Sequence, residues 1–313
     1  MNSVSSLRLT VRRLGFGLGL FLCVWGLVTA NALAAGPGTL TVATYNVENY
    51  NSADRRTEAG YRPDYPKPEV QKTALRAIIR RLDADVLALQ EIGPRPYLEE
   101  LRHDLKNEGL DYPHAAILEA DGLDPDRHVA VLSKRPFATV ARHADLTFKY
   151  FGGTERTKRG LLEVRLAAGG AELTIFVVHL KSKLTERPDD PQSELQRAGE
   201  AEAVRDRVLK IFPDPAAARF LILGDCNAGR TERPLRALLD RGKTPITTWL
   251  PAADSHDEVW TYFWRQQDTY ERIDHALVSP GLRPSVVSAK IFDAPEAMTA
   301  SDHRPLVVTL KTE

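Results

Sequence analysis

Short apolar runs rich in β-branched residues recur along the chain, and they constrain its fold more than any other feature. Their lengths, and the glycine and proline turns between them, are typical of strands. We predict strands over residues 40–47, 86–89, 128–132, 161–166, 173–180, 220–223, 273–278 and 305–310. The first runs alternate with helical segments, and a strand-rich middle follows. This order favours one α/β domain of mixed sheets covered by helices.

Three segments carry helical signals. An apolar stripe at helical spacing predicts a helix from Pro68 to Leu82, and a second helix is predicted from Pro96 to Gly109. A third should begin at Ser193, where Gln196 completes a capping-box pattern. The polar stretches 49–66 and 185–192 are predicted to be surface loops, where substrate selection usually resides.

The first 35 residues have the three parts of a secretory signal. These are a basic start, an uncharged apolar run and a small-residue cleavage site: Arg8, Arg12 and Arg13, then Leu14–Ala30, then Ala32-Leu33-Ala34. We predict that residues 1–35 are a signal peptide and that residues 36–313 form the mature domain, exported to the periplasm or beyond the cell. A retained membrane anchor is the alternative, because the apolar run approaches the length of a spanning helix.

The charge balance argues against a broadly cationic surface. The chain has 42 basic and 42 acidic residues, and removal of the signal would leave a net charge of about −3. Proteins that attract nucleic acid or anionic membranes over a wide surface usually carry a clear basic excess. Recognition of phosphate must therefore be local, and we expect a monomer with no stable membrane association after signal cleavage.

Polar residues suited to metal binding or proton transfer follow several of the apolar runs. Asn46 follows the first run and Glu91 the second. A carboxylate that enters a core needs a cation beside it, although a turn-capping asparagine and a solvent-facing glutamate would explain each residue singly. His179 ends a later run, and Lys181 follows it as part of a cationic edge suited to phosphate. The alternative is a core histidine beside an edge-strand lysine.

The second half of the chain adds two pairs of polar residues, one of a carboxylate with an amide and one of a carboxylate with an imidazole. Asp225 and Asn227 follow a fully apolar run, and Asp274 could orient the ring of His303 from a neighbouring strand. An Asx turn and ordinary salt bridges are the alternatives. Cys226, the one cysteine outside the signal, has no basic neighbour and should be a packed thiol. Hard oxygen ligands favour Mg²⁺, with Mn²⁺ or Ca²⁺ as substitutes.

Six short motifs in this order resemble the endonuclease/exonuclease/phosphatase superfamily, which includes pancreatic deoxyribonuclease, abasic-site endonucleases, sphingomyelinases and inositol-polyphosphate phosphatases. The motifs are Thr44-Tyr-Asn-Val-Glu-Asn49, Leu89-Gln-Glu91, His179-Leu-Lys181, Gly224-Asp-Cys-Asn227, Arg272-Ile-Asp274-His275 and Ser301-Asp-His-Arg-Pro305. The resemblance implies a four-layer αββα sandwich, in which two mixed β-sheets lie face to face and helices flank them.

The resemblance also implies roles for individual residues. Glu91 would be the main metal ligand, with Asn46 and Asp302 on the metal or its water. Asp225 would polarise the attacking water or protonate the leaving oxygen, and Asn227 would hold a phosphate oxygen. His303, oriented by Asp274, would act as general base or transition-state stabiliser, and His179 as a second acid that contacts phosphate. Arg159 and Lys181 would bind phosphate, whereas His275, where relatives often carry an aromatic residue, has no assigned role.

The expected function is Mg²⁺-dependent hydrolysis of a phosphate ester, with a phosphodiesterase or nuclease ahead of a phosphomonoesterase or a sphingomyelinase-like phospholipid phosphodiesterase. Nucleic acid is therefore one candidate substrate. A catalytically inactive binding module on the same fold is the alternative from another class. It predicts the loss of one or more key residues, yet Glu91, Asp225, Asp274 and His303 are all present.

Overall fold

The computed structural model describes residues 38–57, 59–185 and 187–312. The predicted signal peptide, residues 1–35, lies outside the described residues. No helix within the described ranges is long and apolar enough to cross a membrane.

Strands make up most of the regular structure. They are β1 (Thr39–Tyr50), β2 (Ser52–Thr57), β3 (Gly60–Pro66), β4 (Val86–Ile92), β5 (His114–Leu118), β6 (His128–Ser133), β7 (Thr139–His143), β8 (Thr147–Tyr150), β9 (Gly153–Arg156), β10 (Leu161–Ala168), β11 (Ala171–His179), β12 (Phe220–Asp225), β13 (Asp240–Arg241), β14 (Thr244–Pro245), β15 (Thr248–Trp249), β16 (Tyr262–Trp264), β17 (Thr269–Glu271), β18 (Asp274–Val278), β19 (Val286–Ile291) and β20 (Leu306–Lys311). The helices are α1 (Glu69–Leu82), α2 (Arg95–Asn107), α3 (Glu194–Ile211), α4 (Arg233–Leu239) and α5 (Ala297–Ala300), and a 3₁₀ turn spans Arg283–Ser285.

Two six-stranded sheets form the centre of the described chain. The first has the order β19-β20-β1-β4-β6-β5, and the second has the order β15-β18-β12-β11-β10-β7. In each sheet one pair is parallel, β1 with β4 and β11 with β12, and the other pairs are antiparallel. Both sheets are therefore mixed, as predicted.

Alternation of side chains along the strands produces the layers. In β1, Leu40 and Val42 belong to a buried cluster that also contains Val177 and Leu221 of the second sheet. Their neighbours, such as Tyr45, belong to a second cluster shared with α1 and α2. A third cluster joins the outer face of the second sheet to α3 and α4. The predicted four-layer αββα sandwich is confirmed.

All the predicted strands are present, but two local predictions are wrong. The stretch 49–66 is not an irregular loop, because it forms the β2–β3 hairpin. Helix α3 does follow Ser193, yet the Ser193 hydroxyl makes no capping bond. The Asp190 carboxylate caps the helix instead, since it accepts the backbone N–H groups of Leu195 and Gln196 at 3.2 and 3.1 Å.

Candidate active site

Polar side chains from both sheets meet where the parallel strand pairs end. Asn46 lies in β1 and Asp225 at the end of β12, and the Asn46 amide donates a 3.0 Å hydrogen bond to Asp225 Oδ2. His179 lies opposite Asp225 in the β11–β12 register, and Asp274 lies opposite it in the β12–β18 register. One site therefore collects side chains that are far apart in the sequence.

A close approach of strands places Asp225. Gly224 has φ of 138°, and a Cβ atom there would lie 2.0 Å from the carbonyl oxygen of Val178 in β11. Only glycine permits this spacing. Asn227 then adopts φ of 47° and donates its backbone N–H to Asp225 Oδ1 at 2.8 Å. Its side-chain amide donates to Leu180 O at 3.0 Å, and the second N–H of that amide can reach a ligand.

Asp274 and His303 form a buried pair. The distance from His303 Nδ1 to Asp274 Oδ2 is 2.8 Å. The Ser301 hydroxyl fixes the segment, because it donates to Asn46 O at 2.8 Å and accepts the His303 N–H at 3.0 Å. Burial by itself lowers the pKa of His303, but Asp274, Asp225 and Asp302 outweigh it and raise that pKa well above its usual value. This shift favours the imidazolium form of His303.

The other imidazole of the site, His179, has a lowered pKa. His179 is buried, its Nε2 lies 3.6 Å from Asp225 Oδ2 and 3.9 Å from Glu91 Oε1, and its Nδ1 has no hydrogen-bond partner. Burial, followed by the nearby Arg159 and His303, lowers the pKa of His179 well below its usual value. His179 can thus donate one hydrogen bond to a ligand, but it is a poor proton source.

The carboxyl groups of the site crowd one another. Burial and the Asp274 charge raise the pKa of Asp225 to about 7, with His303 opposing them. Burial likewise raises the pKa of Asp302 to about 7. His303 opposes this rise, whereas the charges of Glu48 and Glu91 add to it. Neighbouring carboxylates add to both rises, so the carboxyl groups of the site lie close together.

The donor set fits a hard divalent cation. Glu91, at φ of 60°, accepts the Asn49 N–H with Oε2 at 2.9 Å, which leaves Oε1 facing the pocket residue His179. The Asp302 side chain is 27% exposed and lies 3.9 Å from His303. Asn46 uses its carbonyl oxygen to accept the Glu48 N–H at 3.0 Å, so any contact of Asn46 with a cation would use the second lone pair of that oxygen. Carboxylate and amide oxygens suit Mg²⁺, Mn²⁺ or Ca²⁺.

The two predicted phosphate-binding residues flank this pocket. Arg159 is buried, with 8% exposure, and pairs with Asp124 at 3.1 Å. The Lys181 ammonium folds back onto Ser182, with bonds of 3.2 and 3.3 Å to its carbonyl and hydroxyl oxygens. Both residues influence the pKa of His179, so both lie close to the pocket.

Sequence reasoning missed several residues around the site. Lys67 is a buried lysine whose ammonium donates to Glu48 O at 3.0 Å, and burial lowers its pKa to about 8. The Glu200 carboxylate accepts the backbone N–H groups of Lys158 and Lys181 at 2.9 and 2.7 Å. Neither residue follows an apolar run, the pattern from which the other site residues were predicted. Glu48 stood within the first motif and could have been singled out there.

Two neighbouring residues have structural partners. His275 is buried, accepts the indole N–H of Trp249 at 3.0 Å and lies 2.8 Å from Ala228 O through its second ring nitrogen. This explains why the position tolerates a histidine without a catalytic role. Cys226 is buried, and burial raises the pKa of its thiol well above the usual value, as expected for a packed thiol.

Comparisons with known proteins identify relatives of this arrangement. The model of the endonuclease/exonuclease/phosphatase family matches residues 43–303. No curated protein matches the chain. Among solved structures, truncated Caenorhabditis elegans TDP2 is 16% identical, with a TM-score of 0.57 and coverage of 88% of this chain and 98% of that one.

Two further solved structures show the same fold. The human Nocturnin catalytic domain with bound sulfate is 17% identical, with a TM-score of 0.59 over 87% of this chain and 94% of that chain. Sphingomyelinase C from Streptomyces griseocarneus is 16% identical, with a TM-score of 0.57 over 87% of this chain and 99% of that chain.

Proposed function

Because the chain belongs to the endonuclease/exonuclease/phosphatase family, whose members hydrolyse phosphoester bonds, we propose that it is a Mg²⁺-dependent phosphodiesterase or nuclease. One observation carries the proposal. The buried Asp274–His303 pair points at Asp225, which in turn contacts Asn46 across the two sheets.

Asp225 is proposed to accept the proton of the attacking water. Its pKa of about 7 allows it to bind or release a proton near neutral pH. In this step the water oxygen bonds to phosphorus, the water proton passes to Asp225, and the bond from phosphorus to the leaving oxygen breaks. The leaving oxygen takes a proton from solvent. Asp225 is held by hydrogen bonds from Asn46 and Asn227, which fix its direction.

His303 is proposed to stabilise the transition state. As an imidazolium it presents a charged N–H from Nε2, which lies 3.9 Å from Asp225 Oδ2. A phosphate oxygen that accepts this N–H would receive a charge-assisted hydrogen bond. Asp274 holds the ring and keeps it protonated. This assignment favours the stabilising role of His303 over the general-base role.

His179 and Asn227 are proposed to bind phosphate oxygens as neutral donors, and Arg159 and Lys181 to add positive charge beside them. The lowered pKa of His179 favours a hydrogen-bond donor over the acid that the family resemblance implied. Glu91 and Asp302, with Asn46, would hold the divalent cation. When bound there, the cation supplies positive charge that offsets the charge developing on the phosphate oxygens.

The test is hydrolysis of bis(4-nitrophenyl) phosphate and 4-nitrophenyl phosphate, with Mg²⁺ and then with a chelator. The proposal predicts faster turnover of the diester, loss of activity with chelator and recovery with Mn²⁺. Glu91→Gln and Asp225→Asn should each lower kcat by about 10²- to 10³-fold. His103→Asn, on the exposed face of α2, is the control and should retain activity.

The outcomes separate the alternatives. Unchanged turnover in both Glu91→Gln and Asp225→Asn would end the proposed mechanism. Preference for the monoester would favour a phosphomonoesterase, and hydrolysis of sphingomyelin without hydrolysis of other diesters would favour a sphingomyelinase-like enzyme.

A further inference from the structure

A groove of 630 Å³ adjoins the candidate active site. It lies between the loop that precedes β6, the β8–β9 hairpin and the loop that follows β11. Its basic residues outnumber its acidic ones. The basic residues are Arg127, Lys158, Arg159, Lys181 and Arg187, and the acidic ones are Asp124 and Glu155. Since the chain as a whole has equal numbers of basic and acidic residues, this is a local concentration of positive charge.

Arg159 has unused hydrogen-bond donors in this groove. Although the residue is 8% exposed and its Nη2 pairs with Asp124 at 3.1 Å, its Nε and Nη1 atoms have no partner. Buried N–H groups without partners are costly, so native structures rarely retain them without a ligand. An anion in the groove would satisfy these donors.

The basic residues are held in place by the fold. Glu200 of α3 is buried, and its two carboxylate oxygens accept the backbone N–H groups of Lys158 and Lys181. These hydrogen bonds hold the two backbone segments together. Arg127 donates to Asn49 Oδ1 at 2.7 Å, and the Asn49 N–H donates to the candidate metal ligand Glu91 at 2.9 Å. The groove is thus connected to the hydrolytic pocket by a continuous set of contacts.

At its outer end the groove is lined by Arg187 and Tyr150, and the ring of Phe151 lies beside Arg187 just outside the lining. Arg187 lies over the ring of Phe151 at 4.4 Å and over that of Tyr150 at 5.4 Å. Phe151 is 48% exposed, and the Tyr150 hydroxyl donates to Asp190 at 3.0 Å. Cationic grooves with exposed aromatic rings are typical of sites for single-stranded nucleic acid, where the bases stack and the phosphates pair with basic side chains.

We propose that this groove binds a second phosphate of the substrate, next to the phosphate that is hydrolysed, and that the substrate is a single strand of nucleic acid. The proposal rests on the proposed function. Arg159 and Lys181 would contact the phosphate that is hydrolysed, and Lys158 and Arg187 would contact the neighbouring phosphate. The Arg187 guanidinium, which pairs with Asp189 at 2.9 Å, would exchange that partner for the phosphate. A phospholipid headgroup with a single phosphate would leave the outer basic residues without an anion.

The test measures binding of a fluorescein-labelled thymidine hexanucleotide by anisotropy, in the presence of EDTA so that turnover is absent. Lys158→Gln and Arg187→Gln should each weaken binding about three- to tenfold. Each should also reduce the slope of log Kd against log salt by about 0.7, the value for one phosphate contact on a single strand. Lys290→Gln, on the exposed edge strand β19, and Arg80→Gln, at the far end of α1, are the matched controls.

Two further measurements distinguish a nucleic-acid strand from other ligands that contain phosphate. Phe151→Ala should weaken binding of the hexanucleotide but leave competition by inorganic tripolyphosphate unchanged, because only the strand has bases. Binding to sphingomyelin vesicles without binding to the hexanucleotide would overturn the proposal. So would salt slopes in Lys158→Gln and Arg187→Gln that equal those of the two controls.

Failure of this inference is distinguishable from failure of the proposed function. A protein that hydrolyses the small diester, but whose groove variants bind the strand as well as the wild type, contradicts the groove alone. A protein whose groove binds the strand as predicted, yet hydrolyses no phosphate ester, contradicts the proposed function alone.

Discussion

Asp225 lies between two imidazoles whose pKa values are shifted in opposite directions. The pKa of His303 is raised, chiefly by Asp274 against the opposing effect of burial, whereas burial and nearby cations lower the pKa of His179. In the proposed mechanism the two rings therefore act as a charged donor on one side of the carboxylate and a neutral donor on the other. We expect this difference in charge to orient the phosphate, since the charged ring attracts the oxygen that carries more negative charge.

Asp274→Asn tests the charge of His303. An amide cannot stabilise the imidazolium, so we expect kcat on the chromogenic diester to fall about 10²- to 10⁴-fold. The imidazolium is present below the pKa of His303 and is lost as pH rises through it. Because this pKa should fall towards about 6.5 in the variant, the alkaline limb of the pH–rate profile should move to lower pH.

The control for this variant is Asp293→Asn. Asp293 lies 3.3 Å from His256 on the surface. The substitution therefore removes an aspartate–histidine contact outside the site. An alkaline limb that stays in place in Asp274→Asn, or moves equally in Asp293→Asn, would contradict the assigned role of Asp274.

The residues that could be predicted from the sequence follow apolar strands directly, as Glu91 and Asp225 do. Their position at a strand end already brings them to one edge of a sheet. Lys67 and Glu200 could not be found in this way, because their roles depend on contacts with Glu48 and with the backbones of Lys158 and Lys181. Such contacts are set by tertiary packing and leave no local pattern.

At the scale of elements, the approach of β12 to β11 determines where Asp225 lies. Gly224→Ala would place a methyl group against Val178 O, at a φ that side chains rarely adopt. We expect a loss of unfolding free energy of about 2–4 kcal/mol, measured by urea denaturation. Gly170→Ala is the control, since a Cβ atom there meets nothing within 4 Å. Equal effects of the two substitutions would show that the close approach does not matter.

The start of α3 gives a second prediction at this scale. Asp190→Ala removes the carboxylate that accepts two backbone N–H groups of the helix and should lower the unfolding free energy by about 1 kcal/mol. Ser193→Ala should cost less, because Ser193 makes no capping bond and donates only to Leu184 O. Thermal denaturation of both variants measures the difference. The reverse order would restore the capping box as the explanation.

Two predictions of secondary structure failed in polar segments, those for the β2–β3 hairpin and for the start of α3. The β3 strand of the β2–β3 hairpin is exposed along its whole length, so it has no alternation of apolar and polar residues to indicate a strand. The capping-box pattern failed because the Ser193 residue adopts φ of 50°, which turns its hydroxyl towards Leu184. Local sequence patterns do not specify such backbone geometry.

At the scale of the whole molecule, two sheets of similar size hold the site between them. The sequence indicates the strands and the helices, but not the order β19-β20-β1-β4-β6-β5, because pairing depends on which apolar faces meet. The motifs supplied the four-layer arrangement through the family resemblance. The charge balance was informative at this scale, since it predicted that any basic groups that bind phosphate would be concentrated locally.

Export of the protein remains a proposal at this scale. If residues 1–35 are a signal, the protein recovered from the periplasm or the medium should begin at Ala35 or Gly36, as measured by intact-mass spectrometry. Ala34→Arg should block cleavage, and Ala59→Arg, within the mature region, should not. Recovery of the exported protein with its first 30 residues intact would favour the retained anchor.

Glu91 and Asp302, with Asn46, are proposed to form a divalent-cation site beside Asp225 and His303. A crystal soaked in Mn²⁺ tests it through the anomalous difference map. We predict a peak within about 2.0–2.6 Å of a Glu91 carboxylate oxygen. No peak there, or a peak only at the surface group of Asp254, His256 and Asp293, would contradict it.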